Sequence, residues 1–197
     1  MNDAGRPRDQ RIDTSVLEAT IRLLAGRGYA ELRINDIAAE SGVAKTTIYR
    51  RWPTMTHLVI AAIERAIGDR AIPITGDFNA DLARAISAGN SILGGDDTML
   101  TAIALDIHRH KDPELHSEYR QRIIEPFRAH VICLIADAIG HHVIPSTASP
   151  ADLADAIIGG LIYKVVFLGE PFSQTRADAF ARSLLSAPAD ETPDEHA

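Results

Sequence analysis

No run of eighteen apolar residues occurs in this 197-residue chain, so no segment reads as a membrane span. Cysteine is nearly missing. Cys133 stands alone in an apolar helical context, supports no disulfide framework, and reads as a small buried side chain. The N-terminal stretch MNDAGRPRDQR lacks the apolar segment of a secretory signal, which predicts an intracellular, cytoplasmic protein. Apolar–polar alternation between hairpin turns is missing as well, so strands are not expected. There is no serine nucleophile elbow, no phosphate-binding glycine loop, no paired-carboxylate pattern and no diagnostic metal spacing. These absences argue against an enzyme and predict neither a cofactor nor a metal.

What is present is helical. Hydrophobic residues make up 46 % of the chain, enough at this length for a substantial core. The net charge of -7 is unevenly placed. Residues 1–55 carry nine Lys/Arg against seven Asp/Glu, or +2, and residues 56–197 carry eleven against twenty, or -9. Binding to a polyanion depends on the local patch, so an acidic total does not exclude it.

Periodicity predicts a first helix from about Asp13 to Ala25, with Val16, Leu17, Thr20, Leu23 and Leu24 inward, ending near Gly26 and Gly28. A second covers about Asn35–Ser41, and a third Lys45–Arg51 after Gly42, which is helix-turn-helix organisation. A fourth runs from Thr54 to about Ile67. Further helices are expected from Asp77 through Leu93, Asp97 to about His110, Pro113 to Ile139 with Pro126 bending or dividing it, Pro150 to about Phe167, and Ser173 through Leu185. Residues 1–10 are read as a disordered arm and 188–197 as a disordered acidic tail. Arg6, Arg8 and Arg11 make that arm either a minor-groove reader or a solubilising leader.

The octet Lys45-Thr46-Thr47-Ile48-Tyr49-Arg50-Arg51-Trp52 carries the chemistry. Ile48 and Trp52, four apart, face inward, leaving Lys45, Thr46, Thr47, Tyr49 and Arg50 outward. The hydroxyls of Thr47 and Tyr49 suit phosphate oxygens, Lys45 suits phosphate or base, and the Arg50 fork suits a guanine edge. Arg51 is expected on the DNA backbone. Helix phase leaves each assignment uncertain by about one position.

With these residues in view, the chain resembles the TetR family of transcriptional regulators. The match runs over about residues 11–65: Val16-Leu17-x-Ala19, Gly28-Tyr29, Ile37-Ala38, Ser41-Gly42-Val43-Ala44, Thr46-Thr47-Ile48-Tyr49, Trp52 and Leu58. The pattern departs at three points. Arg33 replaces the threonine before the second helix, Ala44 the serine before the third, and Met55 the lysine at the start of the fourth. Arg33 then either reaches a phosphate or is solvated.

The resemblance implies an all-α fold. A three-helix DNA-binding head over 11–53 would stand on a helical bundle over 54–187 that binds an effector and forms a homodimer. It implies a regulator, a repressor in the first reading, that binds a palindromic double-stranded operator and is released by a small hydrophobic or amphipathic molecule. The alternative is a regulator of the same fold with no small-molecule effector, or an activator. Small residues Ala156, Gly159 and Gly160 with Tyr163, and Ala177, Phe180, Ala181 and Leu184 on the last helix, suit the dimer interface. Met99, Ile103, Asp106, His110, Tyr119, Phe127, Tyr163 and Phe167 are the candidates for the effector pocket. Each apolar member is equally a core residue, and the polar ones among Asp106–Tyr119 are equally surface or capping groups.

Overall fold

Apolar residues at three- and four-residue spacing produce ten α-helices in the computed structural model, which describes residues 6–68, 72–94, 99–144, 149–170 and 173–185. In order they are α1 (Arg6–Arg27), α2 (Ile34–Ser41), α3 (Lys45–Arg51), α4 (Met55–Ile67), α5 (Phe78–Gly94), α6 (Met99–Arg109), α7 (Pro113–Tyr119), α8 (Glu125–Gly140), α9 (Pro150–Ile162) and α10 (Gln174–Leu185). No strand occurs among the described residues.

The chain divides into two compact units, and the division does not fall at residue 54. The first comprises residues 1–70 and 97–125, the second 71–96 and 126–197. Helices α4, α6 and α7 therefore share a core with the head. Val16, Ile37, Ile48, Val59, Ile60, Ile107 and Leu115 are all 0 % exposed in that core. A three-helix head of this size has too little apolar area of its own, and α4 and α6 supply the missing faces. The second core gathers Leu82 and Ile86 of α5, Leu134 and Ile135 of α8, Ile157 of α9, and Ala181 and Leu185 of α10.

Helix ends follow from local chemistry. Helix α1 starts at Arg6, seven residues before the expected Asp13, so 6–10 of the expected arm is helical. Pro7 is tolerated there because a first-turn amide has no intrahelical acceptor. Gly42 closes α2 at φ 69°, the left-handed conformation that glycine adopts without a Cβ clash. Thr54 accepts the amide of His57 at 3.1 Å, and Asp112 accepts those of Glu114 and Leu115 at 3.1 Å each. Ser149 precedes α9 with no side-chain cap bond.

The long helix expected over 113–139 is divided just ahead of Pro126, into α7 and α8. A π turn over Arg120–Ile124 precedes it, with the Glu125 amide bonded to the Arg120 carbonyl five residues back. The wide turn thus falls where the proline withholds a donor. A second π turn, Tyr163–Phe167, extends α9. Cys133 is exposed, not buried as its apolar neighbours suggested. The expected tail at 188–197 lies outside the described residues, as do residues 1–5 of the arm.

In the second unit Asp81 is 1 % exposed. Its burial opposes ionisation, but the Thr75 hydroxyl, the Thr75 and Gly76 amides and the Arg84 guanidinium together outweigh that and hold its carboxyl below the ordinary range. The folded value lies below the unfolded 3.8, so the stabilisation is present above pH 3.8 and is lost as pH falls through the folded value. Asp81→Asn is therefore expected to flatten the acid limb of a stability-versus-pH curve below about pH 4. An unchanged acid limb would contradict this network.

Gly160 of α9 admits the Phe180 ring of α10, where an added Cβ would lie 2.3 Å from Cζ. Gly160→Ala should lower stability by about 1–3 kcal/mol through overpacking. Gly26→Ala, at an open helical position with nothing within 4 Å, should be neutral or stabilising by up to about 1 kcal/mol. Paired thermal melts check the contrast.

Candidate nucleic-acid interface

Helix α3 is seven residues long and buries one side chain fully, Ile48 at 0 % exposure. That anchor settles the helical phase left open by the sequence. Lys45, Thr46, Tyr49 and Arg50 are exposed, Thr47 and Arg51 are half-buried, and Trp52 packs half-buried against the first core. Positions 45, 46, 49 and 50 are three and four apart, so they form one solvent-facing surface. The Ala44 carbonyl accepts the amides of Thr47 and Ile48 at 2.9 and 3.2 Å, and no side chain caps the helix.

Charge in the head is sorted by pairing. Arg22 bonds Glu40 at 3.2 Å, Arg27 bonds Asp36 at 2.9 Å, and Arg51 bonds Asp13 at 2.6 Å. Arg51, expected on the DNA backbone, is thus paired with Asp13 of α1. Arg33 is exposed, and its Nη1 donates to the carbonyls of Ala30 at 2.7 Å and Leu32 at 3.0 Å. Lys45 and Arg50 stand on the exposed face of α3 with no carboxylate bonded to them among the described residues. Lys45 and Arg50 thus leave unneutralised positive charge on the face that α3 turns to solvent.

The head is fastened to α6 by a polar cluster that sequence reading placed in a pocket. Gly28 takes φ 77°, and the carboxylate of Asp106 sits against it, 3.1 Å from where a Cβ would project. That approach lets Asp106 accept the Tyr29 amide at 2.7 Å. His110 lies 3.7 Å from the same carboxylate, and its ring meets Tyr29 edge-on at 5.4 Å. The Tyr29 hydroxyl sits 3.3 Å from the Thr56 hydroxyl and donates to Asp112 at 3.4 Å. Burial, the largest influence, and the negative charge of Asp112 raise the Tyr29 phenol above its usual pKa, with the Thr56 bond opposing them. Tyr29, Thr56 and Asp112 were missed as a connected set. The Gly28-Tyr29 pair was the signal that could have found them.

The residues expected in the effector pocket fall in both units, Met99 to Tyr119 in the first and Phe127, Tyr163 and Phe167 in the second. Ile103 and Tyr119 are core residues of the first unit, at 2 % and 8 % exposure, and Met99 packs against the same core. Phe127 belongs to the second core and contacts Gly89. Tyr163 and Phe167 are 56 % and 68 % exposed and stack on each other at 6.2 Å. An open cleft of about 460 Å³ in the first unit is lined by Tyr29, Arg33, Met55, His110 and Lys111 among others, and of the eight candidates it includes only His110. The neighbouring His116 accounts for itself structurally, with Nε2 2.9 Å from the Ile107 carbonyl.

The interface candidates divide. Gly160 and Phe180 pack on each other, Ala181 is fully buried and Leu184 lines the second core, so these serve the fold of a single chain. Ala156, Gly159 and Tyr163 remain exposed on α9 and its π turn, in line with Phe167. The side chain of Ala177 lies outside the described ones.

Comparison with known proteins accords with this geometry. Residues 16–62 match the family described as bacterial regulatory proteins, tetR family, and residues 72–184 match the tetracyclin repressor-like C-terminal domain. An uncharacterized HTH-type transcriptional regulator of Mycobacterium tuberculosis is 28 % identical over 174 residues, covering 88 % of this chain and 85 % of its own. The crystal structure of a TetR family transcription regulator superposes with a TM-score of 0.64 at 26 % identity, covering 91 % of this chain and 99 % of the other. The fold is also that of FadR from Bacillus subtilis, solved with stearoyl-CoA, at a TM-score of 0.68 and 20 % identity over 87 % of this chain and 95 % of that one. With both of its parts matched in order, and with a helix-turn-helix at its head, this chain belongs to the TetR family of transcriptional regulators.

Proposed function

We propose that the protein is a cytoplasmic repressor that binds a palindromic operator as a homodimer and releases it when a small molecule binds. The observation that carries the DNA-binding part is the exposed face of α3. Lys45, Thr46, Tyr49 and Arg50 project together from a helix seated by Ile48, and Lys45 and Arg50 are left without a neutralising carboxylate among the described residues. A helix of this length, presenting an amine, two hydroxyls and a guanidinium, matches the donors that a major groove and its flanking phosphates accept.

Dimerisation is supported by the exposed strip Ala156, Gly159, Tyr163 and Phe167. Two stacked aromatics in water at 56 % and 68 % exposure represent unused apolar area, and the small residues beside them permit close helix approach. Release by a ligand is supported by relationship alone. A structure of the same fold was solved with stearoyl-CoA, and another, from Saccharomonospora viridis, with choline.

Mobility shifts against the DNA flanking the protein's own gene, repeated at several salt concentrations, test the reading. Arg50→Ala should cost about 1–3 kcal/mol of operator binding and relax the preference at one base pair. Lys45→Ala should weaken all duplexes alike and lower the salt slope by about one. Retention of full operator affinity by a Tyr49→Ala, Arg50→Ala double variant would remove α3 as the reading helix. Separately, Tyr163→Asp with Phe167→Asp should shift sedimentation towards the monomer and reduce operator binding with it; an unchanged dimer would place the interface elsewhere.

A further inference from the structure

A helix under two turns long, with one fully buried side chain, is fixed in position but not in roll. On a helix whose radius with side chains is about 5–6 Å, a roll of about 20° carries a side-chain tip about 2 Å. That displacement is enough to break a bidentate bond to a base edge. Something besides Ile48 must therefore set the angle at which Lys45, Tyr49 and Arg50 are presented. Trp52 lies beyond the last helical residue and is half-buried.

Trp52 packs against the first core from there, and a further tie, made within the helix itself, is Arg51. It lies three residues from Ile48, on the neighbouring position of the inner face. Its Nη1 reaches Asp13 Oδ1 at 2.6 Å, and its side chain is 20 % exposed against 37 % for Asp13. The anchoring point is itself held. Asp13 lies three residues before the fully buried Val16 on α1, and the adjacent Thr14 hydroxyl accepts a bond from Arg65 of α4 at 2.9 Å. Two points on one face, Ile48 in the core and Arg51 on α1, define the roll that one alone leaves open.

Resting on the operator-binding reading above, we propose that Asp13 is a positioning residue for sequence recognition: through Arg51 it sets the roll of α3, and so the register in which the outward side chains meet base edges. A partly exposed ion pair contributes little to global stability, so its loss appears in discrimination and not in folding. In this proposal Arg51 is a positioning group and not a phosphate contact, its charge being matched by Asp13.

The test is competitive binding of full-length protein to the operator and to a scrambled duplex of equal length, across a salt series. Asp13→Asn should lower operator affinity about tenfold, comparable to a mismatched base pair, while scrambled-duplex affinity holds or rises slightly because a negative charge is gone. Its melting temperature should stay within a few degrees of the parent. The double exchange Asp13→Arg with Arg51→Asp, which restores the pair in reverse, should recover discrimination that each single exchange loses. Tighter operator binding by Asp13→Asn with a steeper salt slope would overturn the proposal, since it would mean that the freed Arg51 reaches a phosphate. A double exchange no better than its singles would overturn it too. If the parent protein does not distinguish the operator from the scrambled duplex, both this proposal and the operator-binding reading fail together. Discrimination kept by Asp13→Asn defeats this proposal alone.

Discussion

The hydrogen bond from the Tyr29 amide to the Asp106 carboxylate joins positions 77 residues apart, and the arrangement of the first unit depends on it. It exists because Gly28, at φ 77°, has no Cβ to hold the carboxylate away. The bond satisfies an amide that Tyr29, as the first residue of the 3-10 turn Tyr29–Glu31, would otherwise leave without an acceptor, and it does so with a carboxylate, the stronger kind of acceptor. Once α6 is held there, Ile103 and Ile107 join the core against α1. Tyr29, Thr56, His110 and Asp112 then fill the polar margin of the same contact.

This explains why the head was legible in the sequence and its partner was not. Periodicity at Val16, Thr20 and Leu24, the left-handed Gly42 and the Ile48–Trp52 spacing are local signals, and local physics suffices to read them. A helical face identified as apolar does not say which other face it meets. Ile103 and Tyr119 were equally good as cavity walls and as core, and contacts with helices more than 40 residues away in sequence decided for core. Asp106 was open between a pocket group and a surface or capping one. The acceptor it needed was a backbone amide, which every residue but proline carries and which no sequence pattern marks.

The charged residues show the same limit. Counting charges placed +2 on residues 1–55, which is correct and incomplete. The arginines are not equivalent: Arg22, Arg27 and Arg51 meet carboxylates on the surface of the head, and Arg33 turns back onto carbonyls. Pairings such as Arg51 with Asp13 cross from one helix to another and cannot be read from spacing along either. The early start of α1 is a milder case, since Pro7 reads as a breaker unless it falls in the first turn, where it is harmless.

The interleaving of the two compact units has a consequence for how the chain must be made. Neither unit is a continuous stretch: the first needs residues 97–125 to complete a core begun before residue 70, and the second begins at 71 and resumes at 126. As the chain leaves the ribosome, the helix-turn-helix emerges first, yet α1 and α4 still lack the covers supplied by Ile107, Leu115 and Ile123. For the time it takes to synthesise more than fifty further residues, that apolar surface stays open to solvent and to chaperones. A head that is first in order of birth is thus among the later parts to be finished, and a gene fragment ending after α4 would encode an exposed core in place of a small DNA-binding domain.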